Sequence, residues 1–373
     1  MSRIGLIGEN SIEYINTLLD IWNAGDCAVL VDWRVPHQVA VKMMQEAEVR
    51  KCYIIEDSMV KQTINDIEFI SIKKRNYTAE LIPNEVYKKF KENYSNSEAI
   101  ILYSSGTTGK AKGIILSHYA INLNADAIIH YMKPSKEDCI YIVKTISHSS
   151  TITGELLVAL KSQMRLVIAP TVVPPRFILK NIEKFKVTII CVNPTLINMI
   201  AVEYSRGSYD LSLLKTIYVS GAILNNKIYE LAHKTFKDTE IYNVYGLSEA
   251  GPRVSAQQAD CCKGNSVGKP LKGIQIMIVD EEGNQIKQGE RGIIHVKTPS
   301  IFNGYVTGDE KLKSLYNDWL NTGDIGSYDD NGELFIINRC DDVIIIDSHK
   351  VYPSDIEKKI LECSEINECI VTQ

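Results

Sequence analysis

The stretch that most constrains this 373-residue chain is Tyr103–Gly113, which reads YSSGTTGKAKG. It brings together four hydroxyls (Ser104, Ser105, Thr107, Thr108), three glycines (Gly106, Gly109, Gly113) and two lysines (Lys110, Lys112). Short apolar runs flank it, Ala99–Tyr103 before and Ile114–Leu116 after, and both read as buried strands. Glycines let a backbone approach a ligand closely. Backbone N–H groups, hydroxyls and ammonium groups in such a loop make a cradle for a polyphosphate. The spacing excludes a Walker A loop, which needs four residues between its glycines and a Ser or Thr after its lysine. Here two residues separate Gly106 from Gly109, and Ala111 follows Lys110. The bland alternative is a flexible surface loop, and a place between two buried strands argues against it.

Composition narrows the class. An apolar content of 45% supports a full core, and a net charge of −5 leaves no basic footprint for nucleic acid. The nine cysteines are scattered and include no C-x-x-C pair, which argues for free thiols in a cytoplasmic protein rather than a disulfide framework or a zinc site. No apolar run is long enough to span a membrane.

Along the chain, strands and helices alternate. Arg3–Ile7 reads as a strand, Gly8–Ser11 as a turn with an N-cap, and Ile12, Ile15, Leu18, Leu19 and Trp22 recur at helical spacing. Ala28–Val31 and Cys52–Ile55 read as strands around a helix near Val39–Ala47. The alternation predicts an α/β fold with helix-covered, mainly parallel sheets. Asp57–Ser97, rich in Lys, Asn and Glu, reads as a solvated helix and loops. Ser117 is a candidate N-cap, Tyr141–Ile146 a strand, and a helix is expected near Thr153. Arg165–Ala169, Val187–Val192 and Thr216–Ser220 continue the strand pattern, and from Gly268 short strands with turns predict a β-rich part over about 268–337.

The loop at Tyr103–Gly113 resembles the phosphate loop of the acyl-adenylating (AMP-binding) superfamily, close to [ST]SG[ST]TGxPKG, with Ala111 in place of the usual proline. Further motifs follow in the family's order. Ser147-His148-Ser149 resembles the end of its "PLFH" strand, and Ser220-Gly221-Ala222 its "GGA" turn. Asn243-Val244-Tyr245-Gly246-Leu247-Ser248-Glu249 is similar to [NQ]xYGxTE, Trp319–Gly326 to W[FL]xTGDxG, and Asn338–Asp342 to GRxDD. Val351–Glu357 (VYPSDIE) resembles a form more frequent in acyl- and aryl-CoA ligases than in peptide-synthetase domains.

The resemblance implies an acid–thiol ligase. It would use ATP and Mg²⁺ to convert a small carboxylic acid to an acyl-AMP, then pass the acyl group to CoA or to the phosphopantetheine of a carrier protein. In its terms Ser104, Ser105, Gly106, Thr107, Thr108, Gly109, Lys110 and Lys112 hold phosphates, and Thr108, Lys112, His148 and Glu249 are the catalytic candidates. Ser220, Gly221, Ala222, Asn243, Tyr245, Gly246 and Ser248 lie along the nucleotide and acyl group, and Asp324 and Arg339 take the ribose. Glu249 would bind Mg²⁺, which prefers carboxylate and phosphate oxygens. His148 faces the acyl pocket or caps a helix through its hydroxyl neighbours.

A family organisation also follows: an AMP-binding domain over 1–339, then a hinge at Asp341 and the start of a small α+β lid over 340–373. The family's lid lysine is not among these residues, and Ile345 and Ser348 replace a lysine and a glycine. Two other readings stand beside the ligase: an amino-acid adenylation domain, against which His148 in place of an Asp speaks, and a nucleotide-binding protein with little turnover.

Overall fold

The computed structural model describes residues 1–56, 61–76, 78–105, 111–170, 173–258, 264–308, 315–346, 349–363, 366 and 369–372. Its architecture starts from the expected strand–helix–strand unit. The Ser11 hydroxyl accepts the Tyr14 N–H (3.1 Å) and caps helix Ile12–Asn23. That helix buries Ile15, Leu18 and Leu19 completely. Strand Cys27–Val31 is buried at every position, as a central parallel strand must be.

Two eight-stranded sheets form the body. In the first, Arg3–Gly8 lies between Cys27–Val31 and Lys51–Glu56, all parallel. Cys27–Val31 also pairs with Glu98–Ser105, and beyond it Ala111–Ser117 runs antiparallel. In the second, Arg165–Ile168, Cys139–Ile142, Ile189–Val192, Thr216–Val219 and Glu240–Gly246 are parallel neighbours with antiparallel strands at both edges. The α/β expectation therefore holds. A five-stranded antiparallel sheet built on Gln275–Val279, Gly292–Lys297, Trp319–Tyr328 and Leu334–Arg339 realises the β-rich part. A two-stranded ladder, Ile344–Ile346 with His349–Val351, and helix Pro353–Ile360 follow. Among the described residues, no helix is long and apolar enough to cross a membrane.

Three expectations need correction. The stretch after Glu56 is not just a solvated helix and loops: Lys61–Ile64 and Ile67–Lys73 form a hairpin, and among its described residues only Asn84–Lys89 is helical. Its turn is Asn65-Asp66, both at positive φ, which is the two-residue turn that suits a twisted hairpin. Alternate residues Ile67 and Phe69 are buried under it. The strand expected at Tyr141–Ile146 ends at Ile142. The helix expected near Thr153 begins instead at Ser149 and passes through a wide π-turn, Ile152–Leu157. Wide turns of this kind concentrate at functional sites.

His118 opens helix His118–Met132 behind the Ser117 cap, only 4% exposed and edge-on to Trp22. Burial pulls its pKa down to about 4. An unfolded histidine titrates near 6.5, so as pH falls the unfolded chain binds the proton first. Stability should be level above about pH 6.5 and decline towards pH 4, by at most about 3 kcal/mol from this group. Denaturant midpoints at pH 7 and 4.5 check this, with the parent expected to lose more stability than His118→Gln.

Candidate functional site

Strands 98–105 and 111–117 pair antiparallel, with Ser105 opposite Ala111. Gly106, Thr107, Thr108, Gly109 and Lys110 lie outside the described residues, as do the side chains of Ser104 and Ser105. Lys112 is described: its Nζ lies 5.5 Å above the Tyr305 ring. The Tyr305 hydroxyl donates to Glu249 Oε1 (3.0 Å). Tyr305 reaches this place because Gly304–Tyr305 pairs with Ile114 and Ile115. The lysine after the loop and the carboxylate of the YGLSE turn therefore share one aromatic neighbour.

Strand Glu240–Gly246 carries that turn. Gly246 is obligatory, since a Cβ there would sit 1.8 Å from the Pro252 carbonyl oxygen. The chain then passes through Leu247 into the short helix Ser248–Ala250. Ser248 Oγ and Ser149 Oγ are 2.7 Å apart. This contact brings the Ser147–Ser150 segment to the turn from 99 residues away in sequence. Asn10, in the turn after the first strand, fixes the chain just before this segment: its side chain donates to the Lys144 carbonyl and accepts from the Ile146 N–H.

Tyr245 anchors the opposite wall. Its hydroxyl donates to Asp324 Oδ2 (2.6 Å), and Arg339 Nη1 donates to Asp324 Oδ1 (2.7 Å). Burial, and then the neighbouring carboxylate, push the Tyr245 phenol far above its ordinary pKa, so it stays a donor. The Asp324 N–H is fixed by Thr322 Oγ1, and Arg339 also donates to the Thr322 carbonyl. Gly323, at φ 71°, lets the turn pass the guanidinium: a Cβ would lie 3.0 Å from Arg339 Nη2.

Between these walls lies a cavity of about 180 Å³, lined by His148, Ser149, Ser220, Gly221, Tyr245, Ser248 and Arg253 among others. A larger cavity of about 350 Å³ in the β-rich part is lined by Ile276, Ile278, Gln288 and Tyr328 and contains none of the motif residues. The motif residues line the smaller one. His148 stands at its mouth, accessible to solvent yet ringed by protein. Desolvation lowers its pKa, Asp32 opposes the shift, and Lys144 and Arg34 add to it, so the imidazole is neutral at pH 7. Burial would raise the Asp32 carboxyl, but the bidentate grip of Arg34 holds it below its usual range.

The structure thus gathers His148, Ser220, Gly221, Tyr245, Gly246 and Ser248 around one cavity, with Asp324 and Arg339 bonded to its wall. Glu249 and Lys112 flank Tyr305. Ala222 is exposed beside Gly221 and lies outside that lining. Asn243 differs: it is buried below the turn, and its amide donates to the carbonyls of Asn265 and Ser266. Its geometry is that of a brace beneath the site. Reading the sequence missed Asn10, Tyr305 and Arg253. Only Tyr305 had a signal, since Asn303-Gly304-Tyr305 resembles the family's xGY motif.

Comparison with known proteins gives a family and a fold. The family model described as AMP-binding enzyme matches residues 1–306. A probable 4-coumarate–CoA ligase 3 of Dictyostelium discoideum is 31% identical over 280 residues, covering 73% of this chain and 51% of that protein. A 2-succinylbenzoate–CoA ligase of Bacillus cereus (strain AH820) is 28% identical over 369 residues, covering 96% and 72%. The chain thus spans about half of the first relative and under three quarters of the second. Among solved structures, an anthranilate CoA ligase in complex with anthranoyl-AMP superposes with a TM-score of 0.86 at 19% identity, covering all of this chain and 73% of that one. The O-succinylbenzoate coenzyme A synthetase of Bacillus subtilis, in complex with ATP and magnesium ion, gives 0.84 at 21% identity, covering 100% and 76%. These two likenesses concern the fold.

Proposed function

Because the chain belongs to the AMP-binding enzyme family, we propose that it activates a carboxylic acid with ATP as an acyl-adenylate and passes the acyl group to the thiol of CoA. The observation that carries the reading is the convergence of distant segments on one cavity. Ser149 meets Ser248, Tyr245 meets Asp324, and Asp324 meets Arg339. A carrier-protein thiol is an alternative acceptor of the same chemistry, and the cytoplasm is the compartment that the seven described free cysteines suit.

In this reading Tyr245 offers its ring face to the adenine, and Asp324 accepts hydrogen bonds from the ribose hydroxyls while Arg339 holds the carboxylate in place. Ser248 donates to the α-phosphate, and Lys112 with residues 104–110 takes the outer phosphates. Gly221, with nothing within 4 Å of where a Cβ would point, leaves room for the acyl group. His148, neutral and at the mouth, borders the place where the activated carbonyl emerges. Asp341, in the short helix Cys340–Asp342 directly after Arg339, is the proposed hinge between a nucleotide domain over 1–339 and the residues beyond it.

The donor set fits magnesium in one way. No group of three or more His, Cys, Asp or Glu among the described residues could hold a metal. Glu249 is a single half-buried carboxylate with Oε1 fixed by Tyr305. One hard carboxylate completed by phosphate oxygens and water is how Mg²⁺ is commonly bound beside a nucleotide. When bound there it would neutralise charge on the phosphates. Glu249 supplies the protein's oxygen, and Tyr305 orients it.

Calorimetry tests the reading. The parent is expected to bind AMP, and to bind ATP more tightly with Mg²⁺ than without. Glu249→Gln should keep AMP binding and lose most of the Mg²⁺-dependent gain for ATP, on the order of tenfold or more. An unchanged magnesium response in Glu249→Gln would remove Glu249 from the metal. Absence of any nucleotide binding would reject the function.

A further inference from the structure

The proposed phosphate site is assembled from two stretches, the strand that leaves the loop and the turn that carries Glu249. A third stretch, 302–306, spans them and bonds to both through its main chain. The Phe302 N–H donates to the Glu249 carbonyl (2.9 Å), while the Asn303 and Val306 N–H groups donate to the carbonyls of Ile115 and Gly113 (both 2.8 Å). Gly304 and Tyr305 form a short antiparallel ladder with Ile115 and Ile114. Gly113 permits the close approach, because a Cβ there would sit 2.7 Å from Val306 Cγ2.

This frame sets the Tyr305 side chain between two groups of opposite charge. Phe302, wholly buried, packs on the Tyr305 ring in a T-shaped contact at 4.9 Å and fixes its plane. The Lys112 ammonium lies 5.5 Å from the ring centroid, within the range of a cation–π attraction. The phenol hydroxyl donates to Glu249 Oε1 at 3.0 Å. Glu249 Oε2 has no hydrogen bond or ion pair among the described residues, so one carboxylate oxygen is fixed and the other is open. A single side chain holds a cation by its ring and a carboxylate by its hydroxyl.

We propose that Tyr305 is a positioning residue that couples the two halves of the phosphate site. Its hydroxyl turns Glu249 so that Oε2 is presented to a magnesium ion held on the phosphates. Its ring restrains the Lys112 side chain, so that the ammonium is placed in advance for the outer phosphates. A hydrogen bond behind a metal ligand orients the ligand oxygen and tunes metal affinity. A lysine loses much rotamer freedom when it is immobilised on a ligand, and restraint beforehand lowers that cost. The inference rests on the adenylate-forming reading and adds that the two effects belong to different parts of one side chain. Tyr305 acts through Lys112 and Glu249, and not on the substrate.

Because ring and hydroxyl can be removed separately, calorimetry tests the proposal, with AMP, with ATP in the presence of a chelator, and with ATP and Mg²⁺. Tyr305→Phe keeps the ring. It should bind metal-free ATP as the parent does and lose about tenfold of the Mg²⁺-dependent gain. Tyr305→Leu removes ring and hydroxyl. It should in addition bind metal-free ATP roughly two- to fivefold more weakly, the worth of an exposed cation–π contact. AMP, which has no outer phosphates, should bind equally to all three proteins. Should the leucine variant fail to fold, Tyr305→Met fills the same space with a flexible side chain and takes its place.

A full magnesium gain in Tyr305→Phe would overturn the proposal and leave the adenylate reading standing. Metal-free ATP binding that is unchanged or tighter in Tyr305→Leu would overturn it too, the tighter case meaning that ring and phosphate compete for Lys112. Equal losses of AMP and ATP binding in Tyr305→Phe would make Tyr305 a structural residue only, against the proposal. A parent that binds no ATP would overturn this inference and the adenylate reading together.

Discussion

Asp324→Ala is expected to weaken AMP and ATP binding alike, by on the order of ten- to a hundredfold, and to lower stability as well. The carboxylate is 8% exposed and serves two partners, the Tyr245 hydroxyl at 2.6 Å and Arg339 at 2.7 Å. In the proposed complex it also accepts from ribose, which both nucleotides share, so the phosphates should make no difference to the loss. A hydrogen bond to a charged group is worth roughly 1.5–3 kcal/mol. Removing one partner of a fully buried pair costs about 3–5 kcal/mol. The Arg339 side chain is 42% exposed, so water takes over much of its solvation and the stability loss should be nearer 1–2 kcal/mol. Asp324→Asn separates the two effects. It keeps the shape and one acceptor oxygen, so stability should largely recover while nucleotide affinity does not. Titration with AMP and ATP, beside denaturant melts, reads both quantities. Wild-type affinity in Asp324→Ala would mean that the residue only closes a turn.

Gly246→Ala should be the most damaging single methyl addition at the site. The added carbon would meet a backbone carbonyl oxygen at 1.8 Å, and the Pro252 carbon and Arg253 Cα at 2.8 and 2.9 Å. Those atoms are main chain and cannot rotate away, so the turn itself must shift. The register between strands 240–246 and 253–256 already breaks at Tyr245/Gly246, which leaves little slack. Overpacking of this kind typically costs about 1–3 kcal/mol and more where backbone must move. Tyr245, Ser248 and Glu249 would be displaced together, so nucleotide binding should fall at least tenfold even in protein that still folds. Gly221→Ala is the control. Its φ of 94° strains any L-residue by roughly 1–2 kcal/mol, yet nothing lies within 4 Å of the new carbon, so AMP binding should largely survive. Comparable losses in both variants would show that backbone strain, and not the close approach of two chains, makes Gly246 necessary.

Much of this was legible in the sequence because turns obey local chemistry. Ser11 and Ser117 were readable as caps because a hydroxyl before an apolar periodic run has few other uses. The YGLSE and TGD turns were readable because glycine, a hydroxyl and a carboxylate sit at fixed offsets. What the sequence hid was tertiary. The hairpin at 61–73 was masked by the Lys, Asn and Glu around it, although Asn65-Asp66 and the period of two in Ile67–Lys73 were its proper signals. The helix start at Ser149 was hidden because a π-turn breaks the 3.6-residue repeat that marks a helix. Arg253 gave no signal at all: a lone arginine after a Gly-Pro pair is usually a solvated edge residue. Only packing shows it sealed between Tyr131, Tyr218 and Gly154. Asn243 has a role that the motif did not announce, since its amide braces the loop through the carbonyls of Asn265 and Ser266.

The central claim is that the cavity between the Ser149–Ser248 contact and the Tyr245–Asp324–Arg339 chain activates an acid with ATP. Exchange of labelled pyrophosphate into ATP, run with this chain, Mg²⁺ and a panel of carboxylic acids, tests it most directly. The account predicts exchange that depends on both the acid and Mg²⁺ and collapses in Asp324→Ala. ATP binding by calorimetry with no acid-dependent exchange from any member of the panel would contradict it and leave a nucleotide-binding protein that does not form adenylates.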